Sequence, residues 1–97
     1  MSAYIVGEIN VTDPSWMAEY RPKTARLVEK YGGRYLAAGG VMDKLEGDAP
    51  LPSALVILEF PDMHAARAWY NDPEYKKMIT LRQSGSSGEL MAVEGGG

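Results

Sequence analysis

Residues 54–60 read Ala-Leu-Val-Ile-Leu-Glu-Phe, and this is the most strand-like run of the chain. Its residues are apolar on both alternating faces until Glu59, which is typical of a strand that is covered on both sides. Residues 3–11 have the same character, with Glu8 and Asn10 as their polar exceptions. Both runs are therefore predicted to lie at the centre of a sheet.

Helix signals stand between and after these strands. Asp13-Pro14 and Asp72-Pro73 each place a capping residue before a proline that suits the first helical position, and Asp62 caps a further helix. We expect Pro22 to kink the first helix or to divide it in two, because proline removes a backbone hydrogen bond. Gly32-Gly33 should end that helix.

The remaining segments complete the order of elements. Residues 34–46 are predicted to form the second strand, with a bulge or sharp bend at Gly39-Gly40. Residues 47–53 and 83–88 are predicted to be loops. Residues 89–94 should form the last strand, and residues 95–97 a frayed end. The order β-α-β-β-α(α)-β indicates an α+β fold of the ferredoxin-like type, a four-stranded antiparallel sheet with its helices on one face.

One face of such a sheet has no helix to cover it. The first and third strands are nevertheless apolar on both faces, and a chain of 97 residues has no spare element for the second face. A second copy of the chain is the simplest cover. We therefore expect a homodimer formed through the open sheet face.

Length and composition exclude several classes of protein. The 97 residues predict a single domain, 1–97, with an ordered core of about residues 3–95. Ten Lys+Arg against thirteen Asp+Glu disfavour nucleic-acid binding, and a chain with no cysteine and a single histidine cannot form a Cys/His zinc site. We expect no metal and no cofactor. The N-terminus has neither a signal peptide nor a membrane span, so we expect a cytoplasmic protein without membrane contact.

Several blocks of the sequence, taken together and in order, form a pattern. They are Tyr31-Gly32-Gly33-Arg34-Tyr35-Leu36-Ala37-Ala38-Gly39-Gly40, Leu45-Glu46-Gly47, Leu58-Glu59-Phe60-Pro61, residues 65–75 (AARAWYNDPEY), Leu81-Arg82 and Val93-Glu94-Gly95. In this order they resemble domain-of-unknown-function family 1330, over nearly the whole chain. The resemblance implies the dimeric α+β barrel superfamily, whose members include small monooxygenases, muconolactone isomerases and haem-degrading enzymes. Because one fold serves several chemistries, the resemblance does not identify a reaction.

Arg82 is the residue that departs most from its surroundings. It shares a helix face with three apolar residues, Tyr75, Met78 and Ile79. An ion pair with Glu59 or Glu8 would compensate its charge, as would a side chain whose head reaches solvent. The functional alternative is an anchor for the carboxylate, enolate or phosphate of a ligand, which the forked guanidinium suits. The sequence leaves these alternatives open.

The two central strands supply candidate acids and bases. An apolar cleft would raise the pKa of a carboxylate such as Glu8 or Glu59 toward the range of a general acid or base. We take Glu8, Glu59 and Arg82 as candidate catalytic residues, although Glu59 could equally be exposed at the end of its strand. Asn10, in register with Glu8, either orients a substrate or makes local turn hydrogen bonds.

Aromatic residues are numerous for a chain of this length. Those that draw attention are Trp69, Tyr70, Tyr20, Tyr31, Tyr35 and Tyr75. Aromatic residues at helical spacing usually serve packing, but some could line a pocket and supply its few polar groups. His64 is expected in the exposed first turn of a helix, so we assign it neither a haem-binding nor a catalytic role.

These observations predict a small, mostly apolar cleft between the sheet and the helices. We expect its floor to contain Glu8, Asn10 and Glu59 and its walls to contain Tyr20, Trp69, Tyr75 and Arg82. It would bind a small aromatic or otherwise apolar compound with an anionic or carbonyl group, and the protein would be a cofactor-free isomerase or a monooxygenase-like enzyme. The alternative is a non-catalytic dimeric module whose cleft is filled by its own side chains.

Overall fold

The computed structural model describes residues 1–95 and has four strands on one side and three helices on the other. The strands are β1 (Ala3–Val11), β2 (Arg34–Ala38), β3 (Ala54–Phe60) and β4 (Ser86–Glu94). A 3-10 turn, Pro14–Trp16, precedes the helices α1 (Met17–Lys30), α2 (Met63–Asn71) and α3 (Pro73–Gln83). No helix in this part of the chain is long and apolar enough to cross a bilayer.

The four strands form one antiparallel sheet in the order β2-β3-β1-β4. This order and the placement of the helices confirm the ferredoxin-like α+β fold. In β1, Ile5 and Ile9 point toward the helices and are buried, whereas Glu8 points to the opposite face and is exposed. That opposite face carries no element of the described chain.

The second and fourth strands differ from their predicted bounds. The predicted strand over 34–46 ends at Ala38, because Gly39 and Gly40 both take positive φ (79° and 95°), which a strand cannot accommodate. The irregular pairing lies earlier than expected, between Tyr35 and Ala37. The last strand begins at Ser86, three residues before its predicted start, because Ser86 pairs with Val11 at the end of β1.

The first helix is not divided at Pro22. Met17–Lys30 is one continuous helix that contains this proline, and the separate short element is the 3-10 turn before it. The carbonyl that Pro22 leaves without a partner belongs to Ala18, and both residues are exposed, so water can hydrate it. This location makes the proline tolerable.

The predicted caps hold the ends of the helical segments. Asp13 accepts a hydrogen bond from the Ser15 amide at 3.0 Å, and Asp62 accepts one from the Ala65 amide at 2.8 Å. At the other end of the chain, Gly95 donates its amide to the Ser2 carbonyl. Gly96 and Gly97, the rest of the predicted frayed end, lie outside the described residues.

The core fills the space between the sheet and the helices at one end. Its fully buried side chains come from a strand and from helices, and the largest are Trp69, Tyr75, Phe60 and Val28. Gly33 passes so close to Phe60 that a Cβ there would lie 2.6 Å from the ring. This end is therefore packed without room to spare.

Candidate functional site

A cleft of about 400 Å³ lies between helix α1 and the helix-covered face of the sheet. Its floor is made of apolar side chains from the strands, namely Ile5, Ile9, Ala54, Val56, Leu58 and Leu90. Exposed residues of α1 and β2, including Arg21 and Ala38, stand at its rim. Clefts of this size and character hold small organic molecules.

The structure brings together four of the predicted site residues. Tyr20 enters the cleft from α1, Trp69 from α2, and Tyr75 and Arg82 from α3. The two α3 residues are seven positions apart, which is close to two helical turns, so both face the same side. The predicted walls are thus present in the cleft.

The predicted floor is different. Glu8, Asn10 and Glu59 lie on the opposite, open face of the sheet, where Glu8 is level with Leu55 and Glu59 with Tyr4. Successive residues of a strand alternate between faces, and the residues of β1 that face the helices are odd-numbered, which sends Glu8 and Asn10 outward. None of these three side chains lines the cleft.

Arg82 is buried without a carboxylate beside it. Only 8% of its surface is exposed, and no ion pair of the described residues includes it. Its Nε has no hydrogen-bond partner. The predicted partner Glu59 instead accepts a hydrogen bond from Arg34 at 2.7 Å, which is the chief reason that the pKa of Glu59 lies below its usual value.

Aromatic rings form a continuous wall beside this guanidinium. The Tyr20 and Tyr75 hydroxyls share a hydrogen bond at 2.8 Å, and the Tyr75 ring stacks on Trp69 with centroids 4.2 Å apart. Trp16 packs edge-on against Tyr20 at 5.1 Å. Burial is the chief cause that raises the pKa of Tyr75, so its phenol stays protonated.

Further polar atoms of the cleft are buried without partners. Four residues of the described chain have such atoms: Trp16 (Nε1), Thr24 (Oγ1), Trp69 (Nε1) and Arg82 (Nε). All four residues line the cleft. Buried polar groups are normally paired, so a cluster of unpaired ones marks a place where a ligand or water would complete the bonding.

Sequence reasoning did not select Trp16, Thr24, Arg21 or Tyr35 as site residues. Thr24 shares the buried face of α1 with Val28, and a hydroxyl at a core-facing position was the available signal. Tyr35 keeps 41% of its surface exposed. Its pKa is nevertheless raised to about 12, and partial burial of the side chain is the chief cause. Both tyrosines at the cleft with raised pKa values are therefore neutral near pH 7.

Trp16 is held in place by the corner that follows α3. The Gly85 carbonyl accepts hydrogen bonds from the Thr12 and Asp13 amides at 2.8 and 3.0 Å. A Cβ at Gly85 would overlap the Asp13 carbonyl and the Trp16 ring. Glycine at this corner thus lets the indole approach the end of α3 from which Arg82 projects.

The cleft has no acidic side chain and no imidazole among its lining residues. His64 is exposed in the first turn of α2 and lies elsewhere. Within residues 1–95, no three His, Asp or Glu side chains come close enough to hold a metal ion. The arrangement can donate hydrogen bonds and present positive charge, and it offers no side chain that would take up a proton at neutral pH.

The fold is similar to several solved structures. A protein of unknown function from Rhodopseudomonas palustris is 18% identical with a TM-score of 0.79, over 97% of this chain and 82% of that one. SnoaB, a cofactor-independent oxygenase from Streptomyces nogalater, is 13% identical with a TM-score of 0.65, over 97% and 92%. A protein from Nitrosomonas europaea, provisionally described as an antibiotic biosynthesis monooxygenase, is 17% identical with a TM-score of 0.64, over 100% and 98%.

At these identities the likeness establishes the fold alone. No curated protein matches the chain. The family described as "Domain of unknown function (DUF1330)" matches residues 2–96, which is nearly the whole sequence and agrees with the resemblance of its sequence blocks. The chain therefore belongs to the DUF1330 family.

Proposed function

We propose that the protein binds a small aromatic or otherwise apolar compound that carries an anionic or carbonyl group, and that the cleft beside α1 is the binding site. The observation that carries this proposal is the buried guanidinium of Arg82, which has no carboxylate partner in a cleft that contains no acid. A buried charge without a partner is costly, and proteins keep such costs mainly where function requires them.

The surroundings of Arg82 suit the rest of such a ligand. Trp69 and Tyr75 offer flat apolar rings, and Ile9 and Val56 offer an aliphatic floor. A planar ring would stack on the aromatic rings or lie between the two surfaces. Its charged group would accept hydrogen bonds from the guanidinium. A cleft filled by its own side chains, the alternative, is at odds with a volume of about 400 Å³.

Binding of 2-naphthoate tests this proposal, with 2-acetylnaphthalene as the neutral carbonyl analogue. Titration calorimetry should detect both compounds, and Arg82→Met should weaken the binding of 2-naphthoate at least tenfold, because it removes the charge and keeps an apolar stem. Arg26→Met is the matched control, since Arg26 is an exposed residue of α1 outside the cleft. Absence of binding, or equal binding by both variants, would refute the proposal.

Catalysis in the same cleft is our second proposal. The supporting observation is the Tyr20–Tyr75 hydroxyl pair, which places two polar groups beside an apolar wall. The structural neighbours described as oxygenases support monooxygenase-like chemistry over a glutamate-dependent isomerase, because neither Glu8 nor Glu59 reaches the cleft. Incorporation of oxygen-18 from labelled O₂ into 1,4-dihydroxynaphthalene, above the rate without protein, would support it. An unchanged rate would refute it for this substrate class.

We also propose that a second copy of the chain covers the open sheet face. The apolar side chains that share this face are Tyr4, Val6, Leu55, Ile57, Met91 and Val93. Met91 and Val93 are 46% and 52% exposed, which is unusual for adjacent apolar positions on a sheet. Light scattering should give about twice the chain mass of 10.6 kDa. Ile57→Lys should yield monomers. Ala18→Lys, on the exposed surface of α1, is the control and should leave the dimer intact. A monomeric parent protein would refute the dimer.

A further inference from the structure

We infer that the cleft binds an aromatic phenol or enol in ionised form, as its phenolate or enolate, while the proton passes to solvent. This inference rests on the proposed function, since it concerns the same site. It goes further by naming the substrate class, a weak oxygen acid with a delocalised anion, and by excluding a base within the cleft.

The polar side chains that face the cleft are guanidiniums and indoles, which only donate hydrogen bonds, and hydroxyls, which both donate and accept. The turn before α1 and α1 itself contribute Trp16, Tyr20, Arg21 and Thr24; β2 contributes Tyr35; α2 contributes Trp69; and α3 contributes Tyr75 and Arg82. Strands β1, β3 and β4 contribute only apolar side chains. The charged groups are thus two guanidiniums, and no carboxylate or imidazole balances them.

The hydroxyls of the cleft can donate hydrogen bonds to an anion. Burial keeps the Tyr75 phenol protonated, and the same holds for Tyr35. Within the Tyr20–Tyr75 pair one hydroxyl donates to the other, which leaves one O–H free to donate onward to a ligand. The indole N–H groups of Trp16 and Trp69 can only donate.

A neutral phenol would satisfy this set poorly. Its own O–H could donate only to a neutral hydroxyl oxygen such as that of Thr24, and Arg82 would stay without a counter-charge. The phenolate has lone pairs for several donors at once and pairs with the guanidinium. Removal from water disfavours any anion, but hydrogen bonds and an opposite charge in an apolar cleft favour it more strongly.

The absence of a carboxylate or imidazole from the lining also restricts the reactions that the cleft can support. Abstraction of a proton from carbon requires a group that accepts it, and no side chain of the cleft does so near neutral pH. A substrate whose own hydroxyl ionises needs no such group. We therefore place the protein with reactions of preformed phenolates or enolates, whose negative charge Arg82 would stabilise.

The experiment uses 4-nitrophenol, which ionises near neutral pH and whose anion is yellow, in the presence of excess protein. We expect the absorbance titration to show the pKa of the bound phenol lowered by about one unit or more, which corresponds to at least tenfold tighter binding of the anion than of the neutral form. Arg82→Met should abolish the shift and Arg26→Met should retain it. The methyl ether 4-nitroanisole, which cannot ionise, should bind at least tenfold more weakly.

The outcomes separate this inference from the proposed function. If 2-naphthoate binds in an Arg82-dependent manner while the pKa of bound 4-nitrophenol is unchanged or raised, the inference is overturned and the binding site stands. If calorimetry in two buffers shows that the phenol proton is taken up by the protein, the inference is overturned as well. If neither 2-naphthoate nor 4-nitrophenol binds, both fail.

Discussion

The space between the sheet and the helices is packed at one end and hollow at the other. At the packed end, Ala3 and Phe60 are fully buried against Val28. At the hollow end, the same strands present Ile9 and Ala54 to a cleft of about 400 Å³. Strand β3 explains much of this difference, because its helix-facing residues shrink along the strand, from Phe60 at one end to Ala54 at the other.

This contrast shows how one small layer can serve both stability and binding. Side chains at the packed end should resist any change of volume, since close-packed interiors tolerate neither cavities nor excess atoms. Those at the hollow end should accept added volume but lose binding when it is filled. The following substitutions test this division, beginning with the largest expected effect on stability.

Phe60→Ala should have the largest effect. The ring is 0% exposed and contacts Trp69 at a centroid distance of 5.4 Å, so its removal leaves a cavity in the packed end. We expect a loss of about 3–5 kcal/mol in the free energy of unfolding, measured by urea denaturation. A loss below about 1 kcal/mol would show that this end is not packed as described.

Asp72→Asn should weaken the connection that joins α1 to α3 at the packed end. The Asp72 carboxylate accepts from the Tyr31 hydroxyl at 2.5 Å, from the Glu74 amide at 2.7 Å and from Lys30 at 3.2 Å. Chiefly the Tyr31 hydrogen bond lowers its pKa to about 2. Loss of a buried charged acceptor should cost about 1–3 kcal/mol at neutral pH.

The pH dependence of that cost follows from the lowered pKa. A carboxyl group whose pKa is lower in the folded than in the unfolded state stabilises the fold above pH 4, and this contribution disappears as pH falls through about 2. The unfolding free energies of the parent and Asp72→Asn should therefore converge between pH 4 and pH 2. Tyr31→Phe removes the same hydrogen bond from the other side. A constant difference in unfolding free energy between the parent and Asp72→Asn across this pH range would contradict the assignment.

Two alanines allow a matched comparison of added volume. Ala3→Leu at the packed end, where Ala3 is 0% exposed, should cost about 1–3 kcal/mol through overpacking. Ala54→Leu enters the cleft and should change stability by less than about 1 kcal/mol while weakening the binding of 2-naphthoate. Similar losses of stability for both variants would mean that the two ends do not differ in packing.

Arg82→Met should have the smallest effect on stability, with a change near zero or a gain of up to about 1 kcal/mol. No carboxylate is left without a partner by this substitution, and a guanidinium that lacks one is removed from an apolar site. Urea denaturation of the variant and of the parent protein measures this change in the free energy of unfolding. A loss of about 3–5 kcal/mol would indicate a buried ion pair after all.

Local signals were sufficient for much of the fold and for part of the site. Asp62 and Asp72 act as the predicted caps, because a capping hydrogen bond spans only two or three residues. Helical spacing placed Tyr75 and Arg82 on one face, and the structure finds both in the cleft. The length of β2 and the start of β4 were mispredicted because strand ends depend on a partner strand distant in sequence, as for Ser86 with Val11.

The sequence by itself determined the order of elements, the two central strands and the presence of an arginine among apolar residues, because periodicity and caps are local. Only the tertiary structure decided which face of β1 the helices cover. Ile5 and Ile9 on one face and Tyr4 and Val6 on the other are both apolar, so alternation alone could not choose between them. That choice sends Glu8 away from the cleft and leaves Arg82 there without a carboxylate, because the partners of a buried charge are set by packing between distant segments.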